Sequence, residues 1–142
     1  MSDPQTILIV EDQIGFRQIY QDVLESFGYT VLTAEDGEVG WAMMREQKPD
    51  LVLLDLGLPK ITGLEILEMA RADEKTRTLP IMIFSVMGEQ KEVDKAMKLG
   101  ANDYILKGFT SNREIVEKIK KFLAGIKKSV GMETPLPAAA IA

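Results

Sequence analysis

The sequence predicts an α/β fold, a (βα)5 doubly wound sandwich on a five-stranded parallel sheet. Three observations lead there. Short apolar runs alternate with stretches whose apolar residues recur at helical spacing. The runs lie roughly 20–30 residues apart, which leaves room for a crossover helix between parallel strands. No run is joined directly to the next by the two-residue Asn-Gly or Asp-Gly turn of an antiparallel hairpin.

The expected strands are Thr6–Val10 (TILIV), Tyr29–Ala34 (YTVLTA), Leu51–Asp55 (LVLLD), Ile81–Ser85 (IMIFS) and Asp103–Lys107 (DYILK). Between the first two, Phe16, Ile19, Val23, Leu24 and Phe27 mark a helix. Val39, Ala42 and Met43 mark the second, Leu64, Leu67 and Ala70 the third, and Val93, Ala96 and Met97 the fourth. Ile115, Ile119, Phe122 and Ile126 mark the last. Thr62 with Glu65, and Ser111 with Glu114, have the spacing of capping boxes and fix two helix starts. Gly28 and Gly100 follow helical stripes, where a left-handed C-cap belongs. Pro49 and Pro80 precede the third and fourth strands, where a missing amide is tolerated. One domain over residues 5–124 follows, with residues 125–142 expected as a flexible C-terminal tail or linker stub.

Composition narrows the chemistry. The chain has 142 residues, 46% hydrophobic and 27% charged, which is enough for one buried core. Its net charge of −5 argues against direct nucleic-acid binding through bulk charge. With no cysteine and no histidine, thiol nucleophiles, imidazole bases, and thiolate or imidazole metal ligands are excluded. No segment reaches the roughly 18 apolar residues of a membrane span. The start MSDPQTILIV has no basic stretch before its apolar run, so a cytoplasmic protein is expected.

In an open parallel sheet, functional groups gather at the carboxyl ends of the strands, near a switch in strand order. Here the first strand ends in Glu11 and Asp12, the third in Asp55, the fourth in Ser85 and the fifth in Lys107. An unpaired Asp55 after LVLL would be costly to bury. Three crowded carboxylates instead call for a cation, and an all-oxygen ligand set suits Mg²⁺. A lysine and a hydroxyl opposite that ion suit a phosphoryl group, with the spare carboxylate as nucleophile.

Taken together, ILIVEDQIGFRQIY, LVLLDLGLPKITGLEIL, IMIFSVMG and GANDYILKGF resemble the receiver domain of bacterial two-component response regulators, over about residues 5–124. The resemblance implies a flavodoxin-like three-layer sandwich. It implies that Asp55 accepts a phosphoryl group from a sensor histidine kinase or phosphotransfer protein, in a phosphorelay. Glu11, Asp12, Asp55 and the backbone carbonyl of Gly57 would hold Mg²⁺. Ser85 and Lys107 would complete the catalytic set with Asp55. Ser85 and Tyr104 would form a switch, the aromatic side chain moving inward as Ser85 engages the phosphoryl group. Pro59 and Gly63 match the turn after the acceptor. Such a domain is not a separate enzyme; its phosphotransfer and dephosphorylation are self-catalysed.

The family usually has proline after the lysine, often behind a cis bond, whereas here the pair is Lys107–Gly108. A cis bond before a non-proline residue costs about 2.5–4 kcal/mol, so a trans peptide is expected. Residues 125–142 are too short for a helix-turn-helix output domain. The signal must then leave through protein–protein contacts, to a downstream target or an output domain outside this sequence. The face of the fourth helix, fifth strand and fifth helix could dock that target or a second copy as a homodimer. Two other readings share these residues. One is a degenerate receiver acting as a phosphorylation-independent binding module. The other is a haloacid-dehalogenase-like phosphatase, although Gly57 stands where that family needs a second carboxylate. A flavodoxin-type cofactor site is disfavoured, because the first loop, EDQIG, is acidic where phosphate needs amides.

Overall fold

A computed structural model of the chain describes residues 4–86 and 88–132. The elements alternate strictly: β1 (Thr6–Val10), α1 (Ile14–Ser26), β2 (Thr30–Ala34), α2 (Gly37–Glu46) and β3 (Leu51–Leu54). They continue with α3 (Gly63–Ala72), β4 (Ile81–Ser85), α4 (Gln90–Lys98), β5 (Asp103–Leu106) and α5 (Asn112–Met132). The described residues divide after Thr110 into two units, the sheet with α1–α4 and, by itself, α5.

All five strands are parallel, in the order β2-β1-β3-β4-β5. The chain leaves β1 to one side for β2 and returns on the other side at β3. The order therefore reverses between β1 and β3, and the crevice opens above their carboxyl ends. Because strand side chains alternate between faces, each strand feeds two layers. Leu8, Val10, Val52, Leu54, Ile81 and Ile83 pack with Met44 of α2, Ile66, Leu67 and Ala70 of α3, and Ala96 of α4. The intervening Ile7, Ile9, Leu53, Met82 and Phe84 are also buried, and Tyr20 of α1 meets the Phe84 ring there at 4.5 Å. Burial on both faces explains why these strands read as continuous apolar runs.

The local signals account for most boundaries. Thr62 Oγ1 accepts from the Glu65 amide at 3.2 Å, and Glu65 Oε1 accepts from the Thr62 amide at 2.9 Å. Ser111 and Glu114 repeat that reciprocal arrangement at 3.1 and 3.2 Å. Gly28 and Gly100 have φ of +96° and +108°, just past α1 and α4.

Several expectations shift. Tyr29, Asp55 and Lys107 fall one residue outside their strands. On α1 the buried residues are Tyr20 and Leu24, while Ile19 and Phe27 are each 50% exposed. On α2 the buried face runs through Gly37, Gly40 and Met44 rather than Val39 and Ala42. Short helices covering a twisted sheet use small residues for close approach, so apolar spacing alone misplaces the face. Helix α5 continues to Met132, past the boundary expected at residue 124. KKSVGM contains no proline to stop it, and one interior glycine costs only about 1 kcal/mol. The rest of the expected tail, residues 133–142, lies outside the described residues.

Candidate functional site

The switch point brings the predicted residues together. Strand pairing continues one step past β1 and β3: the Glu11 amide donates to Ala34 O at 3.0 Å and the Asp55 amide to Val10 O at 3.1 Å. This fixes the backbones of both acidic positions against the sheet. One carboxylate oxygen each from Glu11, Asp12 and Asp55 lie within 4.8 Å of one another. Glu11 and Asp55 are buried, and Asp12 is exposed. From the opposite side the Lys107 amide donates to Ser85 O at 2.9 Å, aligning the end of β5 with that of β4.

Lys107 is buried, and its ammonium donates to Glu11 Oε1 while lying 3.5 Å from Asp55 Oδ2. The other Asp55 oxygen accepts from the Gly57 amide at 3.4 Å, so Asp55 is partnered. Of the two carboxylates, Glu11 is the nearer to the Lys107 ammonium. Burial pushes the Glu11 carboxyl above its ordinary range. The Lys107 and Gln13 hydrogen bonds oppose that rise, and the charge of Asp55 adds to it.

Ser85 is fully buried at the end of β4. Burial pushes the Tyr104 hydroxyl up, Glu92 adds to the rise, and a side-chain hydrogen bond with Ser85 opposes it. The two residues proposed as a switch are thus in contact. No described peptide bond is cis, Lys107–Gly108 included, and Gly108 has φ +86°.

Two contributors were not read from the sequence. Arg17 Nη1 donates to the carbonyls of Glu11 and Asp12, at 2.8 and 3.4 Å, and ties the acidic loop to α1. The Phe16 ring faces the Lys107 ammonium, 4.5 Å from ring centroid to Nζ. An apolar or cationic residue on the first turn of α1 gives no sequence signal of either role.

As a metal site, the donor set fits Mg²⁺: oxygen ligands only, from three carboxylates, with one on the solvent side where waters can complete the shell. Arranged around a strand-end aspartate, with a lysine opposite, such a site can hold and receive a phosphoryl group.

Comparison with known proteins agrees. The family model for the response regulator receiver domain matches residues 7–120. This chain belongs to that family. It is 39% identical over 119 residues to the phosphate regulon transcriptional regulatory protein PhoB of Pseudomonas aeruginosa, covering 84% of this chain and 52% of PhoB. It is 36% identical over 117 residues to the alkaline phosphatase synthesis transcriptional regulatory protein PhoP of Bacillus subtilis, covering 82% of this chain and 48% of PhoP. The receiver thus spans about half the length of the curated relatives it matches.

Among solved structures, a putative response regulator from Chloroflexus aurantiacus superposes with TM-score 0.80 at 32% identity, over 86% of this receiver and 99% of that chain. The receiver domain of sensor histidine kinase PA1611 from Pseudomonas aeruginosa, with a magnesium ion coordinated in its active-site cleft, gives 0.78 at 27%, over 85% and 98%. Family membership removes the haloacid-dehalogenase alternative. No described helix is long and apolar enough to cross a membrane.

Proposed function

We propose that this receiver is a Mg²⁺-dependent phosphoacceptor. Asp55 takes a phosphoryl group from a phosphohistidine on a sensor histidine kinase or phosphotransfer protein, and the receiver passes that state to a downstream protein or output domain. The observation that carries this reading is the convergence of Asp55, Glu11, Asp12 and Lys107 at the one reversal in strand order. The receiver of PA1611, with its coordinated magnesium, supports the choice of ion.

An Asp55 carboxylate oxygen attacks phosphorus, an O–P bond forms and the N–P bond breaks. The electron pair leaves on the imidazole nitrogen of the donor. Glu11, Asp12, Asp55 and the Gly57 carbonyl would hold the ion. The ion would supply positive charge to offset that of the carboxylate and phosphoryl oxygens. Lys107 supplies a fixed positive charge beside Asp55, in a pocket where burial strengthens its field. Ser85 donates its hydroxyl to a phosphoryl oxygen, and Tyr104, already hydrogen-bonded to Ser85, registers that change of partner. The surface that reports it is assigned to α4 and β5, which carry Glu92 and Tyr104.

Incubation with acetyl phosphate and Mg²⁺, followed by intact mass and peptide mapping, tests this. One phosphoryl group on Asp55, lost in Asp55→Asn and without Mg²⁺, is the expected result. A group mapped to Ser85, or none at all, would favour the degenerate binding module.

A further inference from the structure

The Lys107 ammonium is held by more than carboxylates. Its Nζ lies 4.5 Å from the Phe16 ring centroid and 5.7 Å from that of Phe84. The two rings are joined through Tyr20, which stacks on Phe16 at 6.3 Å with 10° between the planes, and meets Phe84 at 4.5 Å. Phe16 sits on the first turn of α1, beside Arg17, which is tied to the Glu11 and Asp12 carbonyls. On the other side, Gly108 at φ +86° adds no side chain to hold the lysine.

We propose that Phe16, backed by Tyr20 and Phe84, is a positioning residue for Lys107. Its ring face holds the ammonium over the acidic pocket while that ammonium changes partner from Glu11 to the incoming phosphoryl group. The inference rests on the phosphoacceptor reading for what Lys107 does, and on ring geometry alone for how Lys107 is held.

The physical case is one of direction. A carboxylate fixes an ammonium along a hydrogen bond, and leaving Glu11 would take a buried cation from the nearer of its two carboxylates. A ring face attracts the same charge through its quadrupole and tolerates reorientation over it. The Phe16 and Phe84 rings lie beside a buried Nζ, so the ammonium's remaining stabilisation comes from the acidic residues and the incoming phosphoryl oxygens. Leucine at 16 would keep the bulk and lose the quadrupole; tyrosine would keep both.

The test combines a spectroscopic readout with a rate. In ¹³C-lysine-labelled protein, the Lys107 ε-methylene protons should be displaced upfield by the ring current. Phe16→Leu should return them toward ordinary lysine positions, and Phe16→Tyr should preserve the displacement. Phosphorylation of Asp55 by phosphoramidate with Mg²⁺ should slow by roughly 2- to 30-fold in Phe16→Leu, the range of one cation–π contact, and recover in Phe16→Tyr. Unmoved Lys107 resonances in Phe16→Leu, or an unchanged rate, would overturn the proposal. If the parent protein takes no phosphoryl group, the phosphoacceptor reading fails, and the resonance comparison alone still decides whether Phe16 positions Lys107.

Discussion

Glu11 and Lys107, 96 residues apart in the chain, form a buried ion pair that closes the acidic pocket from the β5 side. The lysine also lies near Asp55, so one ammonium offsets two buried carboxylates. Removing it leaves like charges facing each other in a poorly solvated place, a change that costs up to about 3–5 kcal/mol.

Lys107→Ala should therefore lower the urea midpoint in metal-free buffer. Added Mg²⁺ should raise that midpoint more in the variant than in the parent, because the ion no longer competes with the ammonium. Equal Mg²⁺-induced shifts in the two proteins would mean that Lys107 and the ion do not share these carboxylates.

The same pair gives a pH dependence. Burial raises the folded-state Glu11 carboxyl above its ordinary 4.5, outweighing the Lys107 hydrogen bond. Between the two values the native state holds more protons than the unfolded one, so stability falls as pH rises. Relative to Glu11→Gln, the parent should be at its most stable below pH 4.5 and should lose ground as pH climbs through the raised value. Urea titrations of both proteins between acidic and neutral pH measure this. A difference independent of pH would show that burial does not govern Glu11.

Much of this architecture was legible because its signals are local. Apolar runs buried on both faces read directly as strands, and Thr62–Glu65 needs only a spacing of three residues. The gathering of Glu11, Asp12 and Asp55 followed from the rule for parallel sheets, since all three lie at strand ends. What escaped was choice among neighbours. That Lys107 pairs most closely with Glu11 depends on side-chain geometry that no strand pattern encodes. Arg71 is a stronger case. Its half-buried guanidinium donates to the carbonyls of Gly100, Thr76, Arg77 and Leu79 and to Asn102 Oδ1, fastening loops far apart in sequence. In the sequence it is only one charge on a helix.

Gly63 marks where the acceptor loop has no spare room. Its amide donates to Leu56 O at 3.1 Å. A Cβ there would lie 2.3 Å from the Asp55 carbonyl oxygen and 2.7 Å from Leu56 Cα. Both neighbours are backbone, so relief requires moving the segment that carries Asp55. Gly63→Ala should cost about 1–3 kcal/mol, as overpacking does, and should slow Asp55 phosphorylation as well. Denaturant titration alongside acetyl phosphate labelling tests both, and a stable variant with normal labelling would show that the loop yields easily.

Gly57 and Gly108 flank the same site and should respond in opposite ways. Both have open space where a Cβ would go, but only Gly108 has a positive φ, at +86°. Gly57→Ala should accordingly leave stability almost unchanged. Gly108→Ala should cost about 1–2 kcal/mol, the penalty for an L-residue in left-handed conformation. Gly108→Pro should cost more, because the ring holds φ near −65° and the loop must rebuild around it. That rebuilding acts one residue from Lys107, so the proline variant should also change the rate of Asp55 phosphorylation. The three urea midpoints, read against the parent, give the order expected: Gly57→Ala highest, Gly108→Ala next, Gly108→Pro lowest. A proline variant as stable as the parent would mean that the loop after Lys107 adopts negative φ at little cost, and that its glycine is not required by conformation.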